Sequence, residues 1–204
     1  MAASDGWVDA AATRCRQHYH YFAEYLSPEH DGLGAQTILV EAPYVSQSFL
    51  ADYADYYARG FTTYERLCKR IHFFQVAFDL PALEAALTDP ATGAALWESY
   101  LGYVVVKPLP GRPIGATLLR PYAPAHDKRR VYPVCRPYEV NVLGKQLTLD
   151  SLIFQEQDNN VSACATTALW MAFHKTAALF QTALPSPYHI TATTRNLFYR
   201  HGRT

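Results

Sequence analysis

The chain predicts an α+β fold with a helical N-terminal part, a central antiparallel β section and a C-terminal helix that opens at a cysteine. Three observations carry this prediction. Apolar and aromatic residues recur at helical spacing over 8–26. Two stretches, 100–107 and 138–149, have strand composition or period-two alternation between turn signals. After Cys164, small and apolar residues again follow helical spacing. With 204 residues, half of them hydrophobic, the chain is long enough to bury a sizeable core.

Taken in order, the first helix ends at Ser27-Pro28 and Asp31-Gly32. The β-branched run 36–41 reads as a strand broken by Pro43. Helices are expected over 46–58 and 63–74, separated by Arg59-Gly60 with the glycine as a C-terminal cap. A further helix covers 82–87, then a loop over 88–93 and a helix over 94–100. The run 100–107 is a strand, Pro108 to Pro113 a turn-rich break, and 114–119 a second strand. Residues 138–143 and 146–149 alternate about Gly144-Lys145 as a β-hairpin. A helix over 164–180, ended by Leu184-Pro-Ser-Pro187, precedes a last helix over 188–199 with Ser186 as its cap. The organisation divides into a mixed region over 1–140 and a second unit over 141–204.

Composition excludes several classes. Lys plus Arg equals Asp plus Glu at 18 each, and the densest basic cluster, Lys128-Arg129-Arg130, is only three long, so no nucleic-acid partner is predicted. The acidic, small-residue start lacks a secretory pattern, and no apolar run approaches the ~20 residues that span a bilayer. No membrane association is expected. The four cysteines, Cys15, Cys68, Cys135 and Cys164, are far apart, with no CxxC pair and no Cys–His cluster at zinc-ligand spacing. The sequence therefore predicts reduced thiols in a cytoplasm, with no metal and no cofactor.

The chemistry centres on Phe154-Gln-Glu-Gln-Asp-Asn-Asn-Val-Ser-Ala-Cys164-Ala-Thr-Thr-Ala-Leu-Trp-Met171. A helix N-terminus favours an anion, so a cysteine placed there is biased toward the reactive thiolate. In such a helix Thr167, Ala168 and Met171 share the cysteine's face, while Leu169, Trp170 and Phe173 cover the rest. The helix is thus expected to be buried nearly all round, with its first turn at a surface. Gln157 and Gln155 precede the thiol closely enough to turn back toward it. An amide donor beside the nucleophile's own N–H makes an oxyanion hole, worth on the order of 100-fold or more in rate.

These residues resemble the nucleophile helix of papain-like-fold cysteine peptidases, most of all the bacterial branch that contains the double-glycine leader peptidases. The resemblance covers roughly 154–180, and more loosely 187–202. It implies that Cys164 is the nucleophile, Gln157 the preferred oxyanion donor and Gln155 the second choice, with a peptide or protein as substrate. The pattern departs from the commonest one in its spacing and in having Cys-Ala where Cys-Gly is usual. In that family the base is a histidine well downstream, followed by Asp or Asn. About forty residues follow Cys164 here, offering His174, His189 and His201. His174 lies ten positions along the same helix, about 15 Å away, out of reach. His189 begins a helix and could approach as a candidate base although no motif places it as one, His72 and His126 are upstream alternatives, and the base is not identified in this chain. The resemblance therefore implies a papain-like unit that starts near 141 and is truncated or degenerate.

Plainer readings stand beside these. A single cysteine on an apolar helix is also what a buried small hydrophobe looks like. Arg66, Lys69, Arg70 and His72 read as a solvated helix face. Tyr53, Tyr56, Tyr57 and Tyr64 read as packing a small helical layer with wet hydroxyls. Arg112 and Arg120, beside strand ends, read as partners for Asp or Glu. Three functions remain open: a thiol hydrolase, a catalytically incomplete relative serving as a binding module, and another cysteine acyl-transfer enzyme of transglutaminase or deamidase type.

Overall fold

The computed structural model describes residues 16–29, 31–109, 112–123, 130–157 and 164–195. The fold is α+β. Helix α1 (Arg16–Leu26) leads to strand β1 (Thr37–Tyr44), helix α2 (Gln47–Asp55), a 3-10 turn (Tyr57–Arg59) and strand β2 (Cys68–Phe74). Helices α3 (Leu80–Thr88) and α4 (Pro90–Glu98) precede strands β3 (Tyr100–Val106) and β4 (Ile114–Leu119). A hairpin of β5 (Arg136–Val142) and β6 (Lys145–Ser151) is followed by α5 (Cys164–Phe180) and α6 (Pro187–Arg195).

The main sheet is antiparallel throughout, in the order β1-β2-β3-β4, and the hairpin forms a separate two-stranded sheet. Pro43 lies where the β1 register shifts between Glu41 and Tyr44, a placement that an edge strand tolerates. On one sheet face Leu33, Ile71, Phe73, Leu101, Val104, Ile114 and Leu119 form a small core against Phe22, Tyr25 and Leu26 of α1. On the other, Phe74, Tyr100, Val105, Ala116 and Leu118 join Phe49 of α2, Trp97 of α4, Val140 and Val142 of the hairpin, Trp170 of α5 and Ile190 of α6. Strand β5 spans position 140, and its side chains share that core with residues from both flanking regions.

Local chemistry explains the helix starts. Ser46 accepts a hydrogen bond from the Phe49 N–H at 3.5 Å, and Asp79 accepts from Ala82 at 3.0 Å. Asp89 accepts from Ala91 with Pro90 in the first turn, so α4 begins where a loop over 88–93 was expected. Gly93 lets α4 lie against α3, since a Cβ there would stand 2.6 Å from the Ala86 carbonyl oxygen. The hairpin turn consists of Leu143 and Gly144, with φ of 50° and 90°, and closes at Val142 and Lys145. It sits one residue earlier than the expected Gly144-Lys145.

The expected helix over 63–74 is instead strand β2. Its buried face carries Cys68, Arg70, His72 and Phe74, and its other face Ile71 and Phe73. Two polar residues on the inner face hide the period-two pattern that marks a strand. Arg70 and His72 are thus buried, at 8% and 1% exposure, rather than solvated. Tyr100 O–H donates to His72 Nδ1 at 2.9 Å, and His72 Nε2–H donates to Glu41 at 3.3 Å. A carboxylate accepts only, so Nε2 carries a proton, and with the ring kept neutral by the lowered pKa, Nδ1 is the acceptor for Tyr100. Arg70 donates through two nitrogens to the same Glu41 oxygen, at 2.8 and 2.6 Å, and from Nη2 to the Asn141 carbonyl of β5 at 2.6 Å. Tyr44 and Tyr103 flank its guanidinium, with ring centres 4.3 and 5.3 Å away. The tyrosines divide: Tyr53 of α2 and Tyr57 of the 3-10 turn are buried while Tyr56 is exposed, and Tyr53 O–H donates to the Tyr64 carbonyl.

Burial, reinforced by Arg70 and opposed by Glu41, lowers the His72 pKa to about 4. Burial followed by Arg136 does the same to His174, also to about 4. Unfolded imidazoles take up a proton near pH 6.5, so both groups give full stability above that pH and lose it as the pH falls from 6.5 toward 4. The Tm is expected to drop through that window as both imidazoles are driven toward protonation. His174→Phe should remove about half of the drop, and an unchanged Tm-against-pH slope in that variant would refute the assignment.

Candidate functional site

The candidate site begins where the chain leaves the hairpin. Thr117 N–H donates to the Phe154 carbonyl at 2.8 Å, Phe154 N–H returns a bond to Thr117 at 3.0 Å, and Glu156 N–H donates to the Ile114 carbonyl at 3.1 Å. Residues 153–157 thus run beside β4 as a short, irregular extra strand held by one isolated antiparallel bridge between Thr117 and Phe154. Successive side chains of a strand point to opposite faces. Ile153 accordingly enters the main core with Trp170, whereas Phe154 meets the Tyr21 ring of α1 at 6.2 Å, edge to face. Gln155 is buried, Glu156 turns back to the α1 side, and Gln157 turns to the thiol.

Cys164 is the first described residue of α5 and is exposed. Its S–H donates to Gln157 Oε1 at 2.7 Å. The sequence-predicted nucleophile and preferred oxyanion glutamine are therefore in contact across residues 158–163, which lie outside the described residues. Gln155, the second choice, is buried within the fold. Helix α5 is less covered than its composition suggested. Thr166, Thr167 and Trp170 are buried, but Leu169, Leu179 and Phe180 are 43%, 64% and 71% exposed.

Among the described residues no histidine is hydrogen-bonded to the thiol. His189 sits in the first turn of α6, where Ser186 Oγ accepts from its backbone N–H at 3.2 Å. Its Nδ1 is 2.9 Å from Ser186 Oγ and 3.6 Å from Asp55 Oδ2. Serine and aspartate converge on one ring nitrogen, so the trio is a capping arrangement and not a relay of the kind that activates a hydroxyl. His189 borders a cleft of about 640 Å³, also lined by Tyr44, Tyr103, Trp170 and His174, and Cys164 is not among its walls. His174 stacks edge to face on Trp170 at 4.4 Å, with Nε2 buried and unpartnered. His72 uses both ring nitrogens inside the sheet core. His126 and His201 lie outside the described residues.

Glu156, between the two glutamines, is a residue that the sequence reading passed over. Its carboxylate side chain is 8% exposed and accepts from His18 Nε2 at 2.8 Å, Arg112 Nη1 at 3.0 Å and the Ile114 N–H at 3.2 Å. The signal available in the sequence was the strand alternation of Ile153-Phe-Gln-Glu-Gln157, which separates Glu156 from both glutamines. Arg112 thus has the acidic partner expected of it. Arg120 instead donates to the carbonyls of Glu98 and Tyr100.

Among the described residues, no group of His, Cys, Asp and Glu is gathered to hold a metal ion, and no helix is long and apolar enough to cross a membrane. No family model, curated protein or solved structure matches the chain.

Of the described cysteines, burial pushes the Cys68 thiol up to about 11, and burial together with Asp150 raises that of Cys135. Cys164 alone of the three is exposed. Iodoacetamide at neutral pH should therefore modify Cys164 at least tenfold faster than Cys68 or Cys135. Peptide mapping by mass spectrometry checks this, and equal labelling would contradict it.

Proposed function

We propose that this chain carries the nucleophile and oxyanion side of a papain-like thiol acyl-transfer site, most simply a peptidase acting on a peptide or protein. The observation that carries the reading is the 2.7 Å contact between an exposed cysteine at the start of α5 and a glutamine seven residues earlier. In this scheme the Cys164 sulfur, once deprotonated, attacks the carbonyl carbon of the scissile bond. The carbonyl π electrons move to oxygen, where the Gln157 amide N–H and the Cys164 backbone N–H stabilise the negative charge. Collapse of the adduct expels the amine, which takes up a proton, and leaves a thioester that water hydrolyses to the acid. Gln157 accepts from the thiol in the resting geometry, so a half-turn of its amide brings the N–H groups to the oxyanion.

A second reading is favoured by one observation. Among the described residues no imidazole is hydrogen-bonded to Cys164. A site with a nucleophile and an oxyanion donor but no base acylates slowly and does not turn over, as expected of a relative retained as a binding module. An acyl-transfer enzyme of transglutaminase type would use the same pair with an amine in place of water as acceptor, and one of deamidase type would pass the acyl group of a side-chain amide to water with release of ammonia.

Acylation of the full chain by p-nitrophenyl acetate tests the proposal, with the acyl group located by mass spectrometry. The acyl group is expected on Cys164, absent in Cys164→Ser, and formed on the order of 100-fold more slowly in Gln157→Ala. Acylation of Cys164 no faster than that of Cys135 would sink the reading. Acylation without release would favour the binding module, and preferential transfer to an added amine would favour the transferase.

A further inference from the structure

We infer that helix α1 acts as a clamp on the strand that carries the oxyanion glutamine, with His18 and Glu156 as positioning residues for Gln157. The inference rests on the thiol-site reading above. His18 and Tyr21 stand three residues apart and so share one face of α1. Tyr21 meets Phe154 edge to face at 6.2 Å, and His18 holds Glu156 at 2.8 Å. Phe154 and Glu156 are the residues that alternation directs to this side of the extra strand. The same helix is fixed to the sheet beyond the site, since Phe22, Tyr25 and Leu26 pack in its smaller core and Tyr25 O–H donates to the Arg120 carbonyl at 2.9 Å.

Segment 153–157 needs such a device because its backbone pairing is sparse. Phe154 exchanges two hydrogen bonds with Thr117, Glu156 makes one with Ile114, and residues beyond 157 add none among those described. Gln157 is exposed at the end of this strand. Its approach to Cys164 depends on the backbone orientation one residue earlier. Three donors on the Glu156 carboxylate, from α1, from Arg112 and from the Ile114 backbone, fix that orientation. Turning Glu156 about the strand axis would turn Gln157 with it, away from the sulfur.

The full chain and its His18→Ala and Glu156→Gln variants separate this role from a merely structural one. Backbone amides of Phe154 and Glu156 should exchange with solvent about tenfold faster in both variants, while the β5–β6 hairpin is unchanged. Acylation of Cys164 by p-nitrophenyl acetate should slow about tenfold, whereas alkylation by iodoacetamide, which needs no oxyanion donor, stays within about twofold. Because Glu156 acts through Gln157, Glu156→Gln added to Gln157→Ala should slow acylation no further. His18→Ala leaves Glu156 two of its donors and keeps the test available if loss of the carboxylate unfolds the chain. Unchanged exchange at Phe154 and Glu156 overturns the clamp, whatever the reactivity of Cys164. Faster exchange with unaltered acylation, or a further loss in the double variant, overturns its action through Gln157. If Gln157→Ala alone leaves acylation intact, the reading of Gln157 fails, and the exchange result still decides whether the clamp exists.

Discussion

Two backbone hydrogen bonds between Thr117 and Phe154 join the C-terminal part of the chain to the main sheet, and the candidate site depends on the register they set. Thr117 is fully buried on β4, so the strand that reaches it has little freedom to slide. A one-residue slip would exchange every face of 153–157. Ile153 would leave the core for the α1 side, and Glu156 would be driven toward Trp170 with its charge unpaired. The cost of burying an uncompensated carboxylate is several kcal/mol, far above the loss of one strand hydrogen bond. Register is therefore held by what a slip would bury as much as by the bonds themselves.

The same logic governs the centre of the sheet. Glu41 and Arg70 form an ion pair in a poorly solvated position, where desolvation of each charge opposes their attraction. The arrangement holds because every strong group has a partner. Arg70 spreads its donors over one Glu41 oxygen and the Asn141 carbonyl, a fork that the single ammonium of a lysine does not offer. His72 stays neutral and completes the chain between Tyr100 and Glu41. The contact with Asn141 carries this network from β2 into the hairpin, so the polar core also fixes how the hairpin sits on the sheet.

Legibility in the sequence followed the distinction between local and tertiary causes. Helix α5 begins at Cys164 as read, and the hairpin differs only by one residue at its turn, because alternation, turn residues and the apolar pattern are local signals. Strand β2 was misread because burial of Arg70 and His72 depends on Glu41 and Tyr100, some thirty residues away on other strands. The far side of α5 was expected to be covered because Leu169 and Phe180 are apolar, yet composition cannot say whether another element reaches that side. Nearness of Gln157 to Cys164 was legible, since seven residues can close on themselves. Glu156 was not, because its significance lies in His18, which is far away in sequence.

The histidines bear most directly on how far the site extends. A general base must exchange a proton with the thiol and so needs a free ring nitrogen within hydrogen-bond reach. His72 has both nitrogens engaged, with its neutral form enforced by burial and by Arg70. His174 has a free nitrogen, but it faces packed side chains beside Trp170, where a positive charge is unfavourable. His189 is exposed, yet its Nδ1 serves Ser186 and Asp55 at the start of α6. Each is thus accounted for by a structural role that acquisition of the Cys164 proton would disrupt or cannot reach. None of these three is hydrogen-bonded to Cys164, so the acyl-transfer reading requires a different base that approaches the exposed thiol.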